Sequence, residues 1–105
     1  HKQRGHDLKI TYKNKHIMKA CTDKKYSEKK YGDRMFEKLQ QRTNEISSAG
    51  TVEEMVQYKI GKCHPLTNTR KGQYGVDLVQ PYRLIFDIHK DSIQIANIIE
   101  ITDYH

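Results

Sequence analysis

The chain has little with which to staple itself. It holds two cysteines, Cys21 and Cys63, and neither lies in a CxxC pair. A disulfide framework is therefore excluded, and a structural zinc knuckle is a poor fit. A reducing, cytoplasmic compartment is the expectation. No apolar run is long enough for a membrane span or for the core of a secretory signal. Internal repeats and linkers are missing too, so the 105 residues read as a single domain, residues 1–105. His1 to His6 begin without an initiator Met; they are expected to stand outside the fold and carry no functional weight. Hydrophobic residues make up only 35%, so any core is small, and they gather in the second half, where a sheet is expected.

What the chain does have is positive charge. Nineteen Lys and Arg against 13 Asp and Glu leave a net charge of +6. A basic surface on a small domain favours a polyanionic partner, most often nucleic acid or an acidic protein segment. This bears on partners and not on fold.

Periodicity orders the elements. Leu8 to Tyr12 alternates and predicts a short first strand. A lysine-rich helix is predicted from Asn14 to Tyr31, with Ile17, Ala20, Cys21 and Tyr31 inward and Lys19, Lys25, Lys29 and Lys30 outward. Gly32 ends it, and Asp33 is the expected N-cap of a second helix carrying Met35, Leu39, Arg42 and Ile46. After Ser47-Ser48-Ala49-Gly50, Thr51 and Glu54 match a capping box for a short helical turn. Tyr58 to Lys62 is expected as a strand, followed by a polar loop from Thr67 to Gly72. Tyr74, Val76 and Leu78 alternate; Leu84, Phe86 and Ile88 alternate; Ile93, Ile95, Ile99 and Ile101 build the last strand. A strand, two helices and an antiparallel meander make an α+β domain whose helices cover one face of a curved sheet.

Alternation then sorts out the chemistry. With Leu84, Phe86 and Ile88 facing the helices, Arg83 lies on the open face of a central strand. Its ordinary role would be an ion pair with Asp77 or Asp87. His64 precedes a proline, which pushes its backbone toward an extended shape and holds the ring at a strand-to-loop junction. His16 and His89 read as ordinary exposed histidines. Asp103-Tyr104-His105 sets an acid, a phenol and an imidazole at the end of the last strand. Strict alternation would put Asp103 and His105 on one face and Tyr104 on the other, whereas a twist could bring all three together. These groups suit RNA cleavage by internal attack. That reaction needs a base for the 2′-hydroxyl, an acid for the 5′-oxygen and fixed positive charge on the phosphorane. Imidazoles, with an ordinary pKa of about 6.5, serve both proton transfers. Arginine supplies the charge. The chemistry needs no metal or cofactor. A zinc alternative would use Cys63, His64, Asp103 and His105, but adjacent Cys63 and His64 are awkward partners on an extended backbone.

Cys63-His64-Pro65-Leu66, Arg70-Lys71-Gly72-Gln73-Tyr74, Pro81 to Phe86 and Asp103-Tyr104-His105 together resemble the HigB-like killer toxins of the RelE/ParE superfamily of type II toxin–antitoxin systems. The likeness spans nearly the whole chain, including Tyr12-Lys13-Asn14-Lys15. It implies a microbial-RNase-like fold and a ribosome-dependent, metal-independent mRNA endoribonuclease. His64 and His105 would then move protons, Asp103 would orient them, Arg83 would stabilise the phosphorane and Tyr104 would position a base or assist the relay. Arg70, Lys71 and the lysine-rich helix would bind mRNA and ribosomal RNA. The implied partner is a HigA-like helix-turn-helix antitoxin. Many relatives place a lysine directly after His-Pro-Leu, where this chain has Thr67; Lys62 or Lys71 would have to supply that charge. Two other functions fit the same resemblance or composition: a ParE-like toxin that binds DNA gyrase and cuts nothing, and a non-catalytic RNA-binding domain.

Overall fold

The structure, a computed structural model, describes residues 8–90 and 94–103. Its elements run β1 (Lys9–Tyr12), α1 (Lys15–Thr22), α2 (Lys24–Tyr31), α3 (Asp33–Ser48), α4 (Val52–Gln57), β2 (His64–Pro65), β3 (Gln73–Asp77), β4 (Tyr82–Lys90) and β5 (Gln94–Asp103). The strands form one sheet in the order β1-β5-β4-β3-β2. The meander β2 to β5 is antiparallel, as its alternation predicts, and β1 adds to β5 in parallel. The helices pack on one sheet face around Leu84, Phe86 and Ile98, each 0% exposed.

The single helix expected from Asn14 to Tyr31 is two helices. Asp23 breaks it with an extended backbone, and its carboxylate accepts from the Tyr26 amide at 3.2 Å, which caps α2. The Cys21 carbonyl, left over at the end of α1, accepts from the Gln40 side chain of α3. An aspartate that can satisfy an amide outside the helix competes with continuing it. At the next junction Gly32, with φ of 96°, occupies the cap position, and Asp33 lies one residue further in. Its charge still suits the positive end of α3. Along α3, Met35, Leu39, Thr43 and Ile46 are buried. Arg42 shares that stripe because its Nε reaches across to the Asp77 carbonyl at 2.6 Å, satisfying an acceptor at the end of β3.

Tyr58 to Lys62 is not a strand. Lys59, Gly61 and Lys62 all have left-handed φ, and Ile60–Lys62 forms a 3₁₀ turn. The turn folds against Arg42: a Cβ on Gly61 would lie 2.9 Å from Arg42 Nε, so this position takes no side chain. Thr51 caps α4 as expected, accepting from the Glu54 amide at 3.2 Å, but the Glu54 carboxylate turns to Gly50 rather than back to Thr51. Gln94 of β5 accepts from Val52 N at 2.9 Å and donates to Glu53 at 3.0 Å, which fastens α4 to the sheet.

The last strand carries a feature that alternation could not reveal. Phe86 pairs with Ile98 and Ile85 with Glu100, so Ile99 is the extra residue of a β-bulge. Ala96 and Ile98 face the helices before it, and Ile101, opposite Leu84, faces them after it. The inward set is therefore not the odd-numbered series expected. Strict alternation from Ile98 onward would turn Glu100 and Thr102 into the core; the bulge sends both to the open face.

Candidate active site on the open sheet face

Two cross-strand rows build the site. His64, Gly75, Ile85 and Glu100 are registered opposite one another across β2, β3, β4 and β5. Asp77, Arg83 and Thr102 form the adjoining row. A cavity of about 530 Å³ opens here, lined by His64, the loop from Leu66 to Arg70, Ile85 and Thr102. Ile85 is 1% exposed yet stands apart from the main core, as the apolar floor of this pocket.

His64 is held from behind. Its Nδ1 lies 2.9 Å from the Lys62 carbonyl, which can only accept, so Nδ1 carries the proton and Nε2 keeps a lone pair in the neutral ring. The left-handed backbone at Lys62, with φ of 57°, precedes the ring it steadies. Nε2 faces Arg83, whose Nη1 stands 3.5 Å away, at the long limit of a hydrogen bond. Gly75 lies directly beneath the ring: a Cβ there would be in ordinary contact, 3.5 Å from His64 Cε1 and 3.4 Å from Ile85 Cδ1.

Arg83 is braced by Asp77, with Nε 3.5 Å from Oδ1, which realises one of the two ordinary pairings open to it. Lys62 Nζ stands 4.0 Å from the other Asp77 oxygen, with 83% of its side chain exposed. Arg70 closes the opposite rim. Its Nε donates to Gln73 Oε1 at 2.8 Å, and Nη2 pairs with Glu100.

His64, Arg83 and Arg70 thus converge, with Lys62 one contact behind. Lys71 is exposed and lines a separate groove of about 460 Å³ with Pro65 and Tyr74, on the other side of the loop. Asp103 is registered opposite Tyr82, in the row flanking the Leu84 side, while Thr102 takes the His64 side. Tyr104 and His105 lie outside the described residues. Glu100, Thr102 and Gly75 were missed in the sequence, whereas alternation alone sends Ile85 to the open face with Arg83. For the first two the only available signal was the break in isoleucine spacing around Ile99.

The neighbouring row continues the polar face: Asp87 pairs with Gln73 and Asn97, and Thr11 of β1 donates to Asn97 at 2.8 Å. His89 Nε2 sits 3.0 Å from Asp87. His16 bonds the Tyr26 hydroxyl on the helical side, and Lys19 lies 5.8 Å over the Tyr26 ring.

The cysteines take no part. Cys63 is buried in the core while its neighbour His64 faces the open side, so the two cannot ligate one metal together. Burial pushes the Cys63 thiol up to about 11 and Cys21 up to about 12. Among the described residues, no group of three His, Cys, Asp or Glu side chains is placed to hold a metal ion. No helix among them is long and apolar enough to cross a membrane.

The fold has solved counterparts. A YoeB dimer from Staphylococcus aureus matches with a TM-score of 0.62 and 21% identity over 94% of this chain and 98% of its own. A YoeB–YefM complex from the same organism matches at 0.61 and 22%, over 93% and 97%. A YoeB/ParE toxin from Agrobacterium tumefaciens matches at 0.59 and 14%, over 93% and 100%. The fold is that of the YoeB toxins. No family model and no curated protein matches the chain. On this YoeB-like frame, the two rows and the pocket are made by residues of a sheet whose other face is committed to the core.

Proposed function

We propose that the chain is the toxin of a type II toxin–antitoxin system, HigB-like in its residues, acting as a metal-independent endoribonuclease on translated mRNA in the cytoplasm. The observation that carries this reading is His64 Nε2, a lone pair 3.5 Å from the Arg83 guanidinium at the mouth of the pocket. A ribose 2′-hydroxyl entering from the pocket would replace the long Arg83 contact at Nε2 and give its proton there while its oxygen attacks the adjacent phosphorus. Arg83 would neutralise the charge that develops on the phosphorane oxygens, where a fixed guanidinium counts most. The P–O5′ bond then breaks, and a second acid protonates the departing oxygen. His105, two residues past Asp103, is assigned that role with Tyr104 supporting it, while Asp103, on the Leu84 side of β5, would orient the chain end rather than enter the pocket. The products are a 2′,3′-cyclic phosphate and a free 5′-hydroxyl.

The charge of the protein supports the same reading. Exposed Lys24, Lys25, Lys29 and Lys30 on α2, together with Arg70 and Lys62, offer phosphate contacts along an mRNA or ribosomal RNA backbone. The natural inhibitor would be a HigA-like antitoxin; one of the matched structures holds its YoeB with a second protein, YefM. Inducing the chain in cells should stop growth, and His64→Ala or Arg83→Ala should abolish arrest while the protein stays folded. Full toxicity in both variants would refute the assignment. Arrest with intact mRNA and a block in gyrase supercoiling would instead establish the ParE-like alternative.

A further inference from the structure

We propose that Glu100 is a positioning residue that presents one edge of Arg70 to substrate phosphate, a role that rests on the nuclease reading above. The carboxylate is out of place on charge alone, since it stands in the same cross-strand row as His64, beside a pocket assigned to a polyanion. Its partner explains it. Arg70 has a guanidinium with five N–H donors in a rigid fork. Gln73 engages Nε at 2.8 Å and Glu100 engages Nη2, so the two together hold the side-on edge. The end-on edge, Nη1 with Nη2, is then fixed in direction and suits bidentate contact with a phosphate.

The pair has little to do with stability. Its side chains are 42% and 40% exposed, and ion pairs that open to solvent add little to folding. It does link a loop to the sheet: Arg70 ends the 3₁₀ turn Asn68–Arg70 in the pocket loop, whereas Glu100 sits in β5 immediately after the bulge. The bulge at Ile99 is what turns Glu100 toward Arg70, so the strand irregularity and the ion pair form one device for locking the loop over the pocket.

The test is a double-mutant cycle read on binding and on cleavage. The probe is a short single-stranded RNA with 2′-O-methyl riboses, which cannot be cut by internal attack. Glu100→Ala should weaken binding roughly tenfold, the scale of one charge-assisted hydrogen bond. Glu100→Gln keeps an acceptor and should stay within about threefold. Arg70→Ala should weaken binding at least as much as Glu100→Ala, and adding Glu100→Ala to it should cost nothing more. In cleavage, Glu100→Ala should raise KM and leave the shape of the pH–rate profile unchanged. Additive losses, tighter binding by Glu100→Ala, or a pH–rate limb lost in Glu100→Gln would each overturn the proposal. A wild-type protein that binds with this coupling but cuts no translated mRNA would refute the nuclease reading and leave the positioning role standing.

Discussion

Gly75 offers a graded way to move the His64 ring without touching it. The residue has no positive φ to defend, so a side chain is permitted by the backbone. A Cβ would meet Ile85 Cδ1 at 3.4 Å on one side, and His64 Cε1 and Nε2 at 3.5 and 3.7 Å on the other. These are ordinary contacts, so Gly75→Ala should fold and keep activity within a few-fold. It should gain about 0.4–1 kcal/mol from the reduced freedom of the unfolded chain. Valine is different. Its γ carbons extend about 1.5 Å further, and with neighbours on both sides at least one of them meets His64 or Ile85. Contact normally needs roughly 3.5–4.0 Å, so the imidazole, or the Ile85 pocket floor beside it, must shift by about 1 Å or more. A displacement of that size at a catalytic group costs on the order of 100-fold in rate. Thermal unfolding followed by circular dichroism would show both variants folded. Cleavage of translated mRNA would show Gly75→Ala near wild type and Gly75→Val about 100-fold slower. A folded Gly75→Val protein with full activity would mean that crowding the His64–Ile85 row does not matter, and the site would have to be placed elsewhere.

Three further outcomes follow from the structure. Deleting Ile99 should leave a folded protein, destabilised by about 1–3 kcal/mol in chemical denaturation, because Ile98 and Glu100 would still face opposite sides; a chain that no longer folds would refute the bulge assignment. Cys21 and Cys63, raised by burial from 9.0 to about 12 and about 11, should resist alkylation at neutral pH until the protein is denatured. Because the folded values lie above the unfolded one, their contribution is complete below pH 9 and is lost as pH rises through 11 to 12. Alkaline unfolding should therefore begin above pH 9, aided by the raised Tyr12 and Tyr31 phenols, and stability unchanged up to pH 12 would contradict their burial.

Much of the frame was legible because binary patterns dictate it. The stripes of α1 and α3 and the alternation of β3 and β4 have one solution each, with the apolar side toward a shared core. The extended backbone at His64 followed from the proline after it, and the open-face position of Arg83 from the alternation around it. The misses have physical causes too. Asp23 ends a helix through a side-chain bond that competes with continuing helix, and the lysine pattern runs on through it. Tyr58 to Lys62 looks β-like in composition, but Gly61 and the approach of Arg42 impose left-handed turns. Glu100 was hidden because a bulge changes the face of every later residue in β5, and the break in isoleucine spacing around Ile99 was its only advance sign.

The central claim is that His64 abstracts a ribose proton during cleavage of translated mRNA. Its most direct measurement maps the 3′ ends of RNA from a translating extract treated with purified protein and a chelator. Wild-type protein should produce new ends bearing 2′,3′-cyclic phosphate, and His64→Ala should produce none above background. Intact mRNA with the wild-type protein, or equal cyclic-phosphate ends from His64→Ala, would contradict it.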